Sequence, residues 1–437
     1  MIDLCVRWLL VLVTSLAGTL AFANTEMFRG DARHSGVYVS PIVPTLAELK
    51  WKFKTGAMVI SSPLVADEVV YFGSADHFVY AVRAATGELK WKFETQGPVN
   101  ASPAKSGGLV VIGSSDGFVY GLDAEKGELR WKFATHGERR FTAPGIHGAI
   151  PRTELMADPY DVFLSSPAVA DATVYVGSGD HSVYALDLKT GRLRWRFITG
   201  NVVHASPAVV AGVVYVGSWD RDLYALDAAS GKLVWKFETG DDREIFNQVG
   251  IASSAAVVDG IVFFGCRDGH FYALEAKSGK KLWAEDNQKG WVIASPAVKD
   301  GVVYFPTSDG ERFKALDART GKTVFNSSIQ AISFSSPAIV GDTVFFGTSD
   351  GRLHAFDRIS GQEKAVFQTD GYKQNAAKYL DEKGAMNYTA LYPDSTLDGM
   401  IIGVDRMYSM GSVLSSPVVS EGIVYFGSTD GHLYAIH

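Results

Sequence analysis

Three stretches of the chain concentrate side chains that could do chemistry. Residues 136–163 hold Arg139, Arg140, His147, Arg152, Asp158, Tyr160 and Asp161. Residues 241–250 hold Arg243, Glu244, Asn247 and Gln248, and residues 372–411 hold Lys373, Asn375, Lys378, Tyr379, Asn387, Tyr388, Asp405 and Arg406. His204 and Trp291 stand in shorter segments. Arginine forks suit carboxylates and sulfates, and aromatic rings wall a site for sugars or flat ligands. The expected ligand-binding set is Arg139, Arg140, His147, Arg152, His204, Arg243, Asn247, Gln248, Trp291, Lys373, Asn375, Tyr388 and Arg406. No catalytic residue is assigned. The competing account is a solvated loop surface with local ion pairs, which is the ordinary fate of surface charge. A polysaccharide lyase or hydrolase would need His147 or His204 with Tyr160, Tyr379 or Tyr388 as base and acid. Arg139 or Arg140 would then neutralise a uronate.

Other chemistries lack their motifs. There is no Gly-x-Ser-x-Gly elbow, no phosphate-binding loop and no dinucleotide fingerprint. His77, His181, His270 and His432 are scattered without zinc spacing, so no metal site is expected. The two cysteines, Cys5 and Cys266, offer no intramolecular disulfide once an N-terminal signal is removed. Arg29-Gly30-Asp31 matches a cell-adhesion tripeptide and reads as chance.

The elements that must carry these segments repeat. A Ser-Ser/Ala-Pro signature places Pro63, Pro103, Pro167, Pro207, Ala255 (proline replaced), Pro296, Pro337 and Pro417 in one register, with a period of about 40 residues broken by the three insertions. Each unit reads as four short strands: Val59–Val65, Val69–Ser74, Phe78–Val82 and Leu89–Glu94 in the first copy, joined by tight-turn residues. Four antiparallel strands per unit is a propeller blade. Eight signatures therefore predict an all-β fold, a single eight-bladed β-propeller of four-stranded antiparallel blades. The last unit stops after Leu433–Ile436, and Leu49–Phe53 supplies its missing strand, so the N-terminal strand closes the ring.

Fourth strands carry Trp51, Trp91, Trp131, Trp195, Trp235 and Trp283, with Phe325 and Phe367 in the last two full units. An aromatic repeated at one strand position reads as blade-to-blade packing, and Tyr80, Tyr120, Tyr184, Tyr224, Tyr272 and Tyr434 read the same way. The aspartates Asp76, Asp116, Asp180, Asp220, Asp268, Asp309, Asp350 and Asp430 recur in turns and read as turn chemistry. All three insertions join a fourth strand to the next first strand, so they are expected to converge on one face. Within the third, Gln374–Glu382 reads as a short helix ended by Gly384.

The segment Ala185-Leu186-Asp187-Leu188-Lys189-Thr190-Gly191-Arg192-Leu193-Arg194-Trp195, and its copy Ala225–Trp235, resemble the tryptophan-docking motif of quinoprotein-like (PQQ-like) propellers. The likeness covers nearly all of the chain after the signal. It implies the propeller fold and leaves function open, because that family includes pyrroloquinoline quinone dehydrogenases and non-catalytic members, notably the propeller lipoprotein that assists outer-membrane β-barrel assembly. The dehydrogenases' adjacent cysteine pair is missing here, and so is any Cys-x-x-Cys-His haem motif. No cofactor is expected, with pyrroloquinoline quinone plus calcium as the disfavoured alternative. The cysteine that would carry a lipid anchor is missing too.

The chain of 437 residues has 41 Lys+Arg against 48 Asp+Glu, a net charge of −7 that argues against nucleic acid. Arg7, the apolar run Trp8–Leu20 and Ala21-Phe22-Ala23 form an export signal over residues 1–23 with a small-x-small cleavage site. Residues 24–437 are then the propeller, with no membrane span, expected in the periplasm or secreted, as a monomer. The leading reading is non-catalytic binding of a protein partner or an anionic saccharide on the long-loop face. The alternatives are a PQQ-dependent oxidoreductase and a polysaccharide-degrading enzyme.

Overall fold

Repeated Asp-Gly and Thr-Gly turns break each unit into hairpins too short to bury a face alone, so the units stack. The computed structural model describes residues 27–240, 249–288 and 290–437. The expected export signal lies outside them, as do Arg243, Asn247 and Gln248 of the second insertion. The architecture is an all-β, eight-bladed propeller. The first blade is Leu64–Ala66, Val69–Gly73, Phe78–Arg83 and Leu89–Glu94, from the channel outward. The eighth sheet joins Val418–Ser420, Ile423–Gly427 and His432–Ile436 to Leu49–Lys54, which pairs antiparallel with the last strand.

The blades are held together by a recurring clamp. The Trp131 indole N–H donates to the Leu188 carbonyl of the next blade at 2.9 Å. Gly191 lies against the same indole at φ +66°, and a Cβ there would come within 2.5 Å of the ring. Trp51, Trp91, Trp195, Trp235 and Trp283 donate to Ala84, Ala124, Ala228, Ala276 and Ala318 in the same way. Phe325 holds this register in the sixth blade, opposite Ala315. Phe367 does not. It pairs with Leu353, the position of Phe93 in the first blade, and Ala365 occupies the tryptophan position. The expectation for Phe367 was thus two residues out, and its ring packs on Phe426 and Tyr434 instead.

The innermost strand is shorter than the sequence suggested, covering Leu64–Ala66 rather than Val59–Val65. The residues before it bond to neighbouring blades. The Ser62 N–H donates to Ser102 Oγ, Ser102 to Ser166, Ser166 to Ser206, Ser206 to Ser254, Ser254 to Ser295, Ser295 to Ser336, Ser336 to Ser416, and Ser416 back to Ser62. These bonds, 2.8 to 3.1 Å long, close a circle around the channel.

Phe28 lies against this serine circle. The segment after it crosses the face opposite the insertions, accepting N–H bonds from Val209, Val257, Val298 and Ile339 of four successive blades. Arg29 is 1% exposed and donates to the Pro296 carbonyl, so the Arg29-Gly30-Asp31 tripeptide is not displayed. Cys266 is fully buried, and burial pushes its thiol up.

Trp131→Ala should cost about 3–5 kcal/mol in urea denaturation, the price of one emptied blade interface. Deleting residues 49–54 should remove the single cooperative calorimetric transition. An unchanged transition would show that the ring does not depend on its closing strand.

Candidate functional site

Six of the eight turn aspartates pin a crossing to a new blade by accepting one of its backbone N–H groups. Asp76 Oδ2 accepts from the Gly56 N–H at 2.7 Å and from the Tyr80 hydroxyl at 2.8 Å, while Oδ1 accepts from the Phe78 N–H. The same Asp–Tyr pair recurs at Asp116–Tyr120, Asp180–Tyr184, Asp220–Tyr224, Asp268–Tyr272 and Asp430–Tyr434. The tyrosines therefore serve the turns as well as the blade interfaces. The turns lie where the insertions begin: Asp180 receives the His136 N–H of the first and Asp430 the Gly371 N–H of the third.

The first insertion folds as a two-stranded ribbon, Thr142–Pro144 with Leu155–Ala157. The third forms three helices, α1 (Asp370–Tyr379), α2 (Tyr388–Leu391) and α3 (Leu397–Ser409). Helix α1 begins four residues before the expected Gln374, because Thr369 Oγ1 accepts from the Tyr372 N–H and caps it there. The sequence reading missed α2 and α3.

The two insertions meet. Ile150 bridges to Thr396, and the Tyr160 and Tyr392 hydroxyls are hydrogen-bonded. Met386, Leu391, Val404, Met407 and Tyr408 pack with Trp291, Ile293, Ile332 and Phe334. The result is an apolar cap joined to the channel wall rather than an open polar basin.

Beneath the cap sits a buried charge cluster. Asp158 is fully buried between His147 Nε2, at 2.8 Å, and the Arg267 guanidinium. Burial works against its charge, yet Arg267 and His147 hold its carboxyl well below the usual carboxylate range. The Arg267 guanidinium carbon lies 4.5 and 4.2 Å from the ring centres of Trp219 and Trp291. This pair joins the first insertion to the fifth blade. Arg267 and Trp219 were not anticipated. A signal existed: other blades carry small residues at this turn position, such as Ala75, Ser115 and Gly179.

On the insertion side an open cleft of about 240 Å³ is lined by Pro98, Asn100, Glu138, Arg139, Arg140, Asp161 and His204, among others. His204 is buried, with Nδ1 at 2.6 Å from Asp161 Oδ1 and Nε2 at 2.9 Å from Glu138 Oε1. Burial opposes its charge, but the two carboxylates win and raise its pKa to about 10. Glu138 also accepts from the Gly179 N–H and the Ser178 hydroxyl, and Asp161 from the Phe141 N–H. Arg139 and Arg140 are exposed.

The expected site residues thus divide. Arg139, Arg140 and His204 share the cleft. His147 and Trp291 belong to the buried cluster. Arg152 is exposed on the ribbon. Asn375 bonds to the Ser409 carbonyl and Lys378, Tyr388 to Glu311, and Arg406 to the carbonyls of Ala390 and Leu391 at the end of α2. Lys373 lies over the Phe367 ring. Of the lyase pairs, His147 and Tyr160 do meet edge to face at 4.9 Å, but with His147 buried on Asp158 rather than in the open cleft. His204 has both nitrogens engaged and stays protonated at neutral pH, while Tyr160 sits under the cap with its hydroxyl pushed up by burial.

The family model described as "Outer membrane protein assembly factor BamB" matches residues 39–145, 152–285 and 245–377. The chain belongs to this PQQ-like propeller family. No curated protein sequence matches it. Among solved structures, BamB from Moraxella catarrhalis aligns with a TM-score of 0.63 at 16% identity, over 89% of this chain and 96% of that one. A quinohemoprotein alcohol dehydrogenase from Comamonas testosteroni gives 0.66 at 16% identity, over 94% and 80%. A europium-containing methanol dehydrogenase gives 0.68 at 16% identity, over 94% and 98%. At these identities the structural likeness speaks for the fold alone.

The dehydrogenases raise the question of a quinone. The residues present do not fit one with its metal. The axial cavity inside the serine circle is about 50 Å³, whereas a drug-sized ligand occupies roughly 300 Å³ or more. Among the described residues no group of His, Cys, Asp and Glu could hold a metal ion, and Cys266 is the one cysteine.

Asp158→Asn should cost about 3–5 kcal/mol, because it strands a buried guanidinium. A loss under 1 kcal/mol in urea melts would refute this role. For His204 the folded pKa lies above the unfolded value, so its stabilisation is complete below about pH 6.5. It fades as pH rises and is gone above about 10. The stability gap between wild type and His204→Gln should therefore shrink from pH 6 to pH 10.

Proposed function

We propose that the protein is an exported, non-catalytic binding propeller that holds a protein partner on its insertion-bearing face. One observation carries this reading: the axial channel, where a propeller would take a small ligand, is narrowed to about 50 Å³ between Phe28 and the serine circle and flanked by the apolar cap. What remains accessible on that face is the arginine-rimmed cleft and the exposed apolar residues Ile150, Leu155 and Ile401. Such residues are suited to a macromolecular surface. The family's description as an assembly factor favours a protein over a saccharide. Arg7, the apolar run Trp8–Leu20 and Ala21-Phe22-Ala23 support the export part of this reading. No described helix is long and apolar enough to cross a membrane. The working location is the periplasm, and the working state is a monomer.

A photo-crosslinking residue placed at Leu155 or Ile401 should give one discrete protein adduct in cells, identifiable by mass spectrometry. The same residue at Val324, on an outer strand, should give none. Adducts from Val324 alone would move the binding face. Tight calorimetric binding of pyrroloquinoline quinone with calcium, with a visible chromophore, would replace this reading with the oxidoreductase.

A further inference from the structure

The cleft collects the places where the repeat is broken. Two residues before each channel serine, most blades carry an apolar side chain: Ile60, Leu164, Ala252, Ile293, Phe334 and Leu414. The two polar exceptions are Asn100 and His204, and both line the 240 Å³ cleft. The first insertion adds Glu138, Arg139, Arg140 and Asp161 to the same cavity. Repeat positions drift toward polarity only where something offsets the lost packing, so this convergence calls for a ligand.

The charges are arranged in depth. His204, Asp161 and Glu138 form a hydrogen-bonded floor, and both imidazole nitrogens are used within it. Arg139 and Arg140 form an exposed cationic rim. Asn100 lines the same cleft; its Nδ2 donates to the Val162 carbonyl at 2.9 Å, which fixes the amide and leaves its Oδ1 buried without a partner. An unpaired buried acceptor is a standing cost until a donor reaches it. The cavity therefore asks for a donor inside and a carboxylate outside.

We propose that this cleft receives an acidic residue of the partner's chain, with its carboxylate on Arg139 and Arg140 and its backbone N–H directed to Asn100 Oδ1. This rests on the protein-partner reading and specifies what the partner presents. An aspartate carries both groups a few bonds apart, and the cavity is below the size of a drug-like ligand site. A uronate offers a carboxylate with hydroxyl donors and is the competing source.

The test is calorimetric titration of the full protein with acetyl-Gly-Asp-Gly-amide, its Asn analogue and glucuronate. The Asp peptide should bind, weaken as salt rises, and lose about tenfold or more in affinity in Arg139→Ala/Arg140→Ala. The Asn analogue should bind at least about tenfold more weakly. Asn100→Ala should weaken the peptide several-fold without lowering the melting temperature, a split that a merely structural amide would not give. Equal binding of the two peptides, or no loss in the double arginine variant, overturns the proposal. Glucuronate binding more tightly than the Asp peptide overturns the protein source. If the cap adduct persists at full yield in the arginine variant, this inference falls while the partner-binding reading stands. If wild type gives neither adduct nor peptide binding, both fall.

Discussion

The molecule depends on the contact between one blade and the next. A four-stranded blade has two faces and one short hydrophobic layer, so its stability is borrowed from its neighbours. The indole clamp supplies that contact in a directional form. A tryptophan such as Trp195 buries a large ring and spends its N–H on the Ala228 carbonyl, so apolar area and register are fixed together. The serine circle does the same at the channel, where backbone N–H groups have no strand partner in their own blade. The two systems sit at the outer and inner edges of each interface, and together they resist both splaying and slipping. The strand at residues 49–54 then ties the first and last blades, adding Trp51 to the same series.

Rigid blades make the turns rigid, and the turns carry the insertions. Each Asp–Tyr pair holds the start of a crossing, so the first and third insertions leave the ring from defined points. They then spend most of their side chains on each other and on the channel mouth. Gly403 shows how close the approach is: a Cβ there would lie 2.0 Å from the Tyr392 ring. Burying Asp158 with Arg267 is weak evidence of net stabilisation, since desolvation offsets much of the attraction. It does select one position for the first insertion, because any shift would leave a buried charge alone. The cleft exists because that position is selected. Glu138 and Asp161 come from the two ends of the insertion, and His204 joins them to the crossing that precedes the fourth blade.

Membership of the family constrains the architecture more than the activity. Relatives with dehydrogenase names share the ring at 16% identity, yet here the axis is narrowed to about 50 Å³ with Phe28 against it. The chemistry that distinguishes this chain sits where its repeat fails, at Asn100, His204, Trp219 and Arg267. Small or apolar residues stand at those positions elsewhere in the ring.

The sequence alone determined the blade count, the closing strand and the tryptophan series, because these are periodic and local hairpins read out at a fixed spacing. It also determined that the first and third insertions share one face, since strand order dictates where crossings emerge. It misplaced Phe367 by two residues, because two aromatics on one outer strand alternate in role and only strand pairing distinguishes them. It missed α2 and α3, whose apolar faces are satisfied by the first insertion and the channel mouth rather than by their own segment. The division of the candidate residues was decided by tertiary structure alone. Nothing in the spacing of His147 and His204 tells that one meets Asp158 and Arg267 under the cap while the other is held charged between Asp161 and Glu138. Both outcomes come from partners distant in the chain, brought near only when the ring closes and the insertions settle on it.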